Sequence, residues 1–505
     1  MQDRQSETSK SIFRNVLYGF STWLLPLGLS FIATRFIIKS FGEQEYGVYQ
    51  LILGFVGYSF TFNFGRSLTK YISEFRATGE NERIPDLISS AFFINLAVGL
   101  FSVAVICLFA DWLVLFVLKI EPGARENAVT GLYIASAIIF FTVLNQLFNS
   151  ILQGIHRFDI YSKIFNLNNF VLLTGNLLLA IYGYKLIGLF VWNLSVTAMT
   201  CLVFAYSAKK NLPEFKLNFR LRSAALKLIV KYSSGVVGYQ ILSNFLVLFE
   251  RGWITRQLGS ESLAYYVVPM NLAINIQALV ASLVMVTFPL ASELKNDTEK
   301  LLRLYTKATK IVLLFVTFMG TTLIVESKFF LTLWIGAEFG ERTWLLLIVH
   351  TITFSIVAVQ TVSWQMTEGL GYPNYNFKLF LLCLVISVSL MVGLTPAFDN
   401  LGVAIGRMTG YAAIFFSVFY VEKWFFGKIL WSFWLKAFGI LSVASVFAAL
   451  TESFVIQSFS QNWLVFVGST AGGMSVFLCI VWVSGFISED EKLLFKRLLS
   501  RSNEK

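Results

Sequence analysis

The chain has 505 residues, of which 56% are hydrophobic and 14% are charged, and 51 of them are phenylalanine. Soluble domains carry about 25% charged residues, so this composition excludes a soluble globular protein. It also excludes a disordered or collagen-like chain, because the eight prolines and 34 glycines follow no repeat. The four cysteines, Cys107, Cys201, Cys383 and Cys479, lie singly in apolar runs and indicate neither disulfides nor a metal site.

The net charge of +11 would suggest a nucleic acid partner if the basic residues formed one patch on a soluble domain. They recur instead in short loops between apolar runs, which is the pattern that membrane topology produces. The lipid bilayer is therefore the expected partner, and nucleic acid is not. The sequence also lacks the phosphate-binding motif GxxxxGK[ST], so we expect no nucleotide cofactor and no transport driven by ATP hydrolysis on this chain.

Apolar runs that are long enough to span a membrane fill most of the chain. A helix needs about 20 mostly apolar residues to cross about 30 Å of hydrocarbon. Fourteen such runs predict an all-α, polytopic membrane protein with 14 transmembrane helices. The runs are 15–38, 48–64, 87–109, 129–152, 165–184, 187–208, 229–249, 264–290, 310–325, 343–364, 377–394, 401–421, 434–450 and 463–486.

The distribution of positive charge predicts the orientation in the membrane. If the N-terminus is cytoplasmic, about three quarters of the 40 Lys and Arg residues fall in loops and tails on the cytoplasmic side. Positively charged loops stay inside during insertion, so both termini are predicted to be cytoplasmic. The longest loop, 209–227, leaves no room for a sizeable extramembrane domain. This argues against membrane glycosyltransferases and polymerases, and we expect no catalytic residues.

Three pairs of short segments recur in the same order, about 215 to 219 residues apart. They are FGEQEYGVY (41–49) with LGSESLAYY (258–266), KYISEF (70–75) with PLASEL (289–294), and QGIHRFDIY (153–161) with EGLGYPNYN (368–376). They follow runs 1 and 7, 2 and 8, and 4 and 10. Because six is an even number, the two halves are predicted to enter the membrane in the same orientation, as lobes that permit alternating access.

The repeat predicts how the chain is divided. Residues 1–208 form an N-terminal lobe of six spans, and residues 209–228 form a basic cytoplasmic linker. Residues 229–421 form the second six-helix lobe, and residues 422–505 carry two further helices and a basic cytoplasmic tail. The aromatic residues between Trp424 and Trp434 are interpreted as a belt at the membrane interface.

The repeated segments also carry a family resemblance. FGEQEYGVY after the first run, FNFGRSLTKYISEF (62–75) at the end of the second and the QG-x(6)-Y element after the fourth resemble the multidrug/oligosaccharidyl-lipid/polysaccharide (MOP) exporter superfamily. Within it they are most similar to the bacterial polysaccharide repeat-unit (Wzx-type) flippases. The resemblance implies a MATE-like fold with two pseudo-symmetric six-helix lobes plus two C-terminal helices.

The resemblance also implies a function. The expected substrate is an undecaprenyl-pyrophosphate-linked oligosaccharide, a polyprenyl-pyrophosphate-linked glycan that is moved from the inner to the outer leaflet of the bacterial cytoplasmic (inner) membrane. The glycan is then polymerised into O-antigen or exopolysaccharide, which makes polysaccharide polymerase machinery a further expected partner.

Two pairs of basic residues repeat near the predicted outer ends of the first and seventh runs. Arg35 and Lys39 lie seven and three residues before the glycine of the repeated segment, and Arg251 and Arg256 lie eight and three residues before its counterpart. Arginine binds phosphate bidentately through its planar guanidinium. We therefore expect at least Arg35 and Arg251 to hold the diphosphate. The alternative is that these side chains anchor helix ends at lipid phosphates.

Other polar residues are candidate substrate ligands. Arg66, at the inner end of the second run, is a candidate gate residue for the phosphates, whereas Lys70 and Glu74 beyond it are expected to form a salt bridge. Sugar hydroxyls need both donors and acceptors, which amides supply. Asn271 and Asn275 share one helical face and are the preferred sugar ligands, with interhelical hydrogen bonding as the alternative.

Coupling to H+ or Na+ would need a titratable group near or within a span. Glu250, Glu326 and His350 are the candidates. The alternatives are that Glu250 neutralises Arg251, that Glu326 lies at the outer interface near Lys328, and that His350 is a hydrogen-bonded packing residue.

The first alternative to a flippase is an ion-coupled multidrug (MATE-type) exporter of the same superfamily. Such an exporter is expected to have a more apolar lumen and a membrane-buried acid. The excess of basic over acidic residues in the helices favours an anionic substrate instead.

Overall fold

The computed structural model describes residues 2–58, 65–217, 222–284 and 297–487, together with residues 287, 291 and 294. Within these residues the secondary structure is helical, without strands. This confirms the predicted all-α class. It follows from the membrane setting, because a helix satisfies its own backbone hydrogen bonds where no water is available.

Fifteen α-helices lie within the described residues. They are α1 (Gln2–Tyr58), α2 (Gly65–Thr78), α3 (Ile84–Trp112), α4 (Arg125–Gly154), α5 (Phe158–Ile181), α6 (Leu186–Asn211), α7 (Ser223–Leu258), α8 (Ser260–Leu283), α9 (Thr298–Val325), α10 (Ser327–Trp334), α11 (Ala337–Gly369), α12 (Pro373–Ala413), α13 (Phe416–Phe425), α14 (Trp431–Ser458) and α15 (Trp463–Val483). A π-helical turn, Leu113–Val117, continues α3.

Ten helical segments of the described part are long and apolar enough to cross a membrane. They contain eleven of the fourteen predicted runs, because the segment Asn374–Phe425 holds both the eleventh and the twelfth. The first, second and seventh runs are not among them. The chain is thus a multi-pass membrane protein, while the number fourteen remains a prediction.

The first repeated segment has the same backbone conformation in both copies. Gly42 interrupts α1 with φ 79° and ψ 168°, and Gly259 separates α7 from α8 with φ 89° and ψ 167°. This region of φ and ψ is essentially restricted to glycine. Each glycine therefore breaks the helical path at a single residue.

The third repeated pair has the same type of helix end in both copies, whereas the 289–294 copy of the second pair lies largely outside the described residues. In both copies the second residue after the helix has positive φ, namely His156 (59°) after α4 and Gly371 (92°) after α11. In both, the amide of the next residue bonds to a carbonyl five residues earlier, Arg157 to Leu152 and Tyr372 to Thr367, at 2.9 Å each. These are the bonds of a Schellman helix end.

The chain forms two compact units, here called the first unit (Met1–Val267 with Phe380–Val403) and the second unit (Val268–Leu379 with Ala404–Lys505). The first unit has a core of buried side chains from α2, α3, α4 and α6, among them Leu68, Ile88, Ile151 and Phe204. The division into lobes that the repeat predicts stays a prediction.

The second unit holds two apolar clusters. One joins α8, α9, α11 and α13 around Ile276, Tyr305 and Val362. The other joins α9, α13, α14 and α15 around Trp434, Leu441 and Phe477. The last two helices are therefore packed into this unit through α9 and α13.

Candidate functional site

Arg251, on α7, is a buried cation within the first unit, with 5% of its surface exposed. Its Nη1 donates a hydrogen bond to the backbone carbonyl of Gln50 on α1. The guanidinium also lies 5.6 Å from the ring centre of Tyr58, within cation–π range. A buried charge next to a predicted membrane span is costly, which makes Arg251 a functional candidate.

The α1 sequence makes room for this arginine at Gly54, one turn beyond Gln50. A Cβ atom placed on Gly54 would lie 2.8 Å from Arg251 Cδ and 3.0 Å from its Nη1. The guanidinium therefore lies across a groove on α1 that a glycine creates. The groove fixes the position of the charge more closely than a flexible surface arginine would allow.

Arg256 lies five residues further along α7 and is exposed. Its Nη1 donates to the carbonyls of Phe116 and Val117, at 2.7 and 2.8 Å. These carbonyls belong to the π-helical turn that ends the third span, where a positive charge is favourable. In this structure Arg256 stabilises a helix end.

Arg35 is half-buried on α1 and Lys39 is exposed. Lys39 and Arg256 both lie three residues before the glycine of the repeated segment, and both are exposed. Arg35 lies seven residues before its glycine and Arg251 eight, which is a difference of about 100° around a helix of 3.6 residues per turn. The two cationic pairs thus correspond at Lys39 and Arg256 but not at Arg35 and Arg251.

The Arg66 side chain lies outside the described part of the structure. The predicted ion pair beyond it is confirmed, because Lys70 Nζ lies 4.0 Å from Glu74 Oε2 with both side chains about half exposed. Such an exposed pair contributes little stability.

The two asparagines preferred as sugar ligands lie on α8 in the second unit. Asn271 is exposed and Asn275 is half-buried. Asn275 Nδ2 donates to the Asn271 backbone carbonyl at 2.7 Å, which holds the amide against its own helix. By contrast, Asn176 and Asn193 are buried and point their amides at the Tyr49 hydroxyl, so they tie helices together.

A second buried arginine, Arg407, was missed by the sequence analysis. It lies on the second half of α12 and is 3% exposed. Its guanidinium carbon lies 5.4 Å from the ring centre of Phe354 and 5.3 Å from that of Tyr411, and its Nη1 is 3.3 Å from Met270 Sδ. A lone arginine in an otherwise apolar run was the signal that could have identified it.

The three candidate ion-coupling residues are all buried. Glu250 accepts a hydrogen bond from the Tyr266 hydroxyl, and Tyr266 belongs to the repeated segment that follows α7. His350 lies in the middle of α11. Glu326 follows α9 and accepts hydrogen bonds from Ser469 Oγ and Thr470 Oγ1 at 2.5 and 3.0 Å.

A buried glutamate on α14, Glu452, was also missed. It accepts a hydrogen bond from Thr322 Oγ1 at 2.8 Å, and the carbonyl of the same threonine accepts from the Glu326 amide. It was missed because it follows the apolar run predicted to end at Leu450. No group of three or more His, Cys, Asp or Glu side chains that could hold a metal ion occurs among the described residues.

Residues 41–343, more than half of the chain, match the family described as "Polysaccharide biosynthesis protein". The chain belongs to this family. A relative of this polysaccharide biosynthesis protein is the "Putative O-antigen transporter" of Shigella flexneri. It is 22% identical over 399 residues, which cover 78% of this chain and 94% of the relative. The resemblance to the MOP superfamily and its polysaccharide flippase branch is confirmed.

Solved structures share the fold of this polysaccharide biosynthesis protein at low identity. The lipid II flippase MurJ, in an inward closed conformation, matches with a TM-score of 0.70 and 17% identity over 93% of this chain and 99% of that one. An inward-facing MATE multidrug resistance transporter of the MOP superfamily matches with a TM-score of 0.67 and 15% identity, over 82% and 94% of the two chains. These likenesses confirm the MATE-like fold.

Proposed function

We propose that this protein is a flippase that moves an undecaprenyl-pyrophosphate-linked oligosaccharide from the inner to the outer leaflet of the cytoplasmic membrane. Three findings support the proposal: membership of a polysaccharide biosynthesis family, a relative named for O-antigen transport, and the fold of a lipid II flippase. The glycan would then reach polysaccharide polymerase machinery for assembly into O-antigen or exopolysaccharide. Transport would proceed by alternating access, as the internal repeat predicts.

Arg251 is the observation on which the proposed mechanism depends. A guanidinium presents a planar fork of donors that matches a phosphate group, and this one is buried and held at a fixed position on α7. In the structure the Gln50 carbonyl accepts one of its hydrogen bonds. We infer that diphosphate oxygens replace this carbonyl when substrate binds, because an anionic acceptor forms the stronger bond.

The other basic residues are proposed either to bind phosphate or to attract the anionic substrate. Arg35 is half-buried on α1 and is proposed as a second phosphate ligand. Lys39, Arg256 and Arg66 are proposed to attract the anionic substrate. Asn271 and Asn275 are proposed to bind sugar hydroxyls, for which the exposure of Asn271 is favourable.

Substitution of Arg251 tests the proposal in cells whose surface polysaccharide depends on this protein. Arg251→Ala is expected to abolish surface polysaccharide and to leave lipid-linked repeat units on the inner leaflet. Arg251→Lys keeps the charge but loses the bidentate fork, so an intermediate loss is expected. Arg342→Ala is the matched control, since Arg342 is exposed and paired with Glu338.

The outcome separates two kinds of transporter. Normal polysaccharide export by Arg251→Ala and Arg35→Ala, with normal membrane insertion, contradicts the proposed phosphate site. If loss of the protein changes only sensitivity to toxic compounds and leaves surface polysaccharide intact, the protein is a MATE-type drug exporter.

A further inference from the structure

The second unit contains a buried acidic cluster that the proposed substrate site does not use. Glu326 follows the end of α9, and Glu452 lies two turns before the end of α14. Both side chains are buried, with 1% and 0% of their surface exposed. The hydroxyls of Thr322, Ser469 and Thr470 complete the cluster, which joins α9, α14 and α15.

The cluster contains a polar atom that the surrounding residues leave unsatisfied. Glu452 Oε1 accepts from Thr322, but Oε2 is buried and has no hydrogen-bond partner among the described residues. Gly473 on α15 lets the carboxyl group lie directly against that helix, since a Cβ there would be 2.4 Å from Glu452 Oε1. An ionised oxygen in this position would be costly, because it is buried and no donor among the described residues stabilises it.

Among the described residues, no basic side chain forms an ion pair with Glu326 or Glu452. α15 carries no Asp, Glu, Lys, Arg or His, and its Cys479 is exposed. The nearest lysines along α9 and α14, Lys310 and Lys436, lie about 24 Å away at about 1.5 Å per residue. Lys328, on α10, is ion-paired with Glu341 at 2.5 Å, and both side chains are more than half exposed.

Hydrogen bonding at Ser469 also indicates a proton on the cluster. Its Oγ lies 2.5 Å from Glu326 Oε1 and 2.9 Å from the Phe466 carbonyl, and both of these atoms are acceptors unless Glu326 is protonated. A hydroxyl has one hydrogen and can satisfy only one acceptor. A proton on Glu326 Oε1 would satisfy both contacts, because Glu326 would donate to Ser469 and Ser469 to Phe466.

We propose that Glu326 and Glu452 form a proton-binding pair. Glu326 contacts Ser469, and Glu452 contacts Gly473 one turn further along α15, so the two carboxyl groups lie near each other. Two neighbouring carboxyl groups in a medium of low dielectric constant cannot both be ionised cheaply, so one of them holds a proton. Release transfers this proton from a carboxyl oxygen to water that enters at the ends of α9, α14 and α15, and leaves two carboxylates whose repulsion separates the helices. This role in the transport cycle rests on the proposed transport function; the binding of the proton does not.

Infrared absorbance of protonated carboxyl groups tests the site in the purified full-length protein without any transport. Wild type is expected to show, near neutral pH, a carboxylic acid band of one group per chain that the double variant Glu326→Gln/Glu452→Gln lacks. Each single variant removes the like charge, so the remaining carboxyl group should release its proton at lower pH.

A matched control is Glu422→Gln, which replaces another fully buried glutamate of the same unit. Glu422 accepts hydrogen bonds on both oxygens from N–H donors, so its substitution is expected to leave the band unchanged. Equal bands in wild type and the double variant at every pH overturn the proposal. Loss of the wild-type band when sodium replaces choline at constant pH also overturns it, because the pair would then be a sodium site.

The transport role is tested separately. Glu452→Gln and Glu326→Gln are each expected to reduce surface polysaccharide at least tenfold with normal membrane insertion. Normal export by both variants, together with the expected infrared result, leaves the proton site in place but overturns its role in transport. Failure of the Arg251 test would instead overturn the proposed substrate site.

Discussion

Buried acids in the second unit differ in the donors that surround them. Glu422 accepts from the Tyr305 hydroxyl at 2.9 Å, from Trp434 Nε1 at 2.7 Å and from the Leu430 amide at 2.7 Å. Glu452 accepts from a single threonine. A buried carboxylate needs donors on both oxygens. Glu422 has them and ties helices together, whereas Glu452 has a donor on only one oxygen and is therefore suited to hold a proton.

Glu422→Gln is expected to destabilise the protein by about 2 kcal/mol, because the amide nitrogen would face a donor and leave it unsatisfied. Tyr305→Phe, which removes one donor of three, should cost about 1 kcal/mol. The unfolding midpoint of the detergent-solubilised protein measures both. A larger loss of stability for Tyr305→Phe than for Glu422→Gln would contradict this account of the Glu422 hydrogen bonds.

At single residues, the sequence indicated which side chains are candidates better than it indicated what those side chains contact. It identified Arg251 and Glu326, and the Lys70–Glu74 pair, because charges at apolar runs and four-residue spacings are visible in a sequence. It missed Glu452, whose only signal was its position beside the end of an apolar run. The interpretation of Trp434 as part of an interfacial belt was wrong, because this side chain is buried against Glu422, whereas Trp424 is 72% exposed. Whether such a side chain is buried depends on contacts with residues that are distant in the sequence.

Close approach of helices depends on small residues at particular positions. A Cβ on Gly47 would lie 1.7 Å from the Ser260 backbone oxygen, and one on Gly65 would lie 2.0 Å from Ser150 Oγ. Helices in membranes have little hydrophobic drive to associate, so van der Waals packing through small residues takes its place. The contact between Gly47 and Ser260 brings the two copies of the first repeated segment, 41–49 and 258–266, against each other.

Gly47→Ala is therefore expected to destabilise the protein by about 3 kcal/mol, since a helix backbone must move to relieve the clash. Gly57→Ala is the matched control on the same helix. A Cβ at Gly57 has no other atom within 4 Å, so this substitution should be neutral or slightly stabilising. Thermal unfolding in detergent compares the two. Equal midpoints would mean that α1 and α8 adjust without cost.

Helices themselves were readily predicted, because apolar runs of about 20 residues leave few alternatives in a membrane. Boundaries and breaks were harder to predict. α9 begins at Thr298, well before the predicted run at 310, because its first turns are polar and the Asp297 side chain caps it by accepting from the Lys300 amide at 3.1 Å. The break of α12 at Asp399 does fall between the predicted runs 377–394 and 401–421.

For the whole molecule, the repeat was the most informative feature of the sequence. Two of its three segment pairs have matching backbone conformations. Orientation in the membrane rests on the distribution of positive charge and remains a prediction. No sequence pattern predicted the two compact units, because their extents depend on packing among helices that are distant in the chain.

Cysteine accessibility tests the proposed orientation. In a variant without the four native cysteines, Tyr182→Cys, between α5 and α6, is expected to react with a membrane-impermeant maleimide in intact spheroplasts. Lys210→Cys, at the end of α6, should react only after permeabilisation. Both positions are exposed, so access alone does not distinguish them. The reverse pattern would place both termini outside.

The matching dihedral angles at Gly42 and Gly259 have a consequence for the history of the gene. If one ancestral half was duplicated, helix surfaces could diverge freely afterwards, since many apolar side chains serve a lipid-facing position. A helix break made by one residue, at φ near 80° and ψ near 170°, tolerates no side chain. In an alignment of descendants, these two columns should therefore hold glycine even where the flanking helices no longer share any residue.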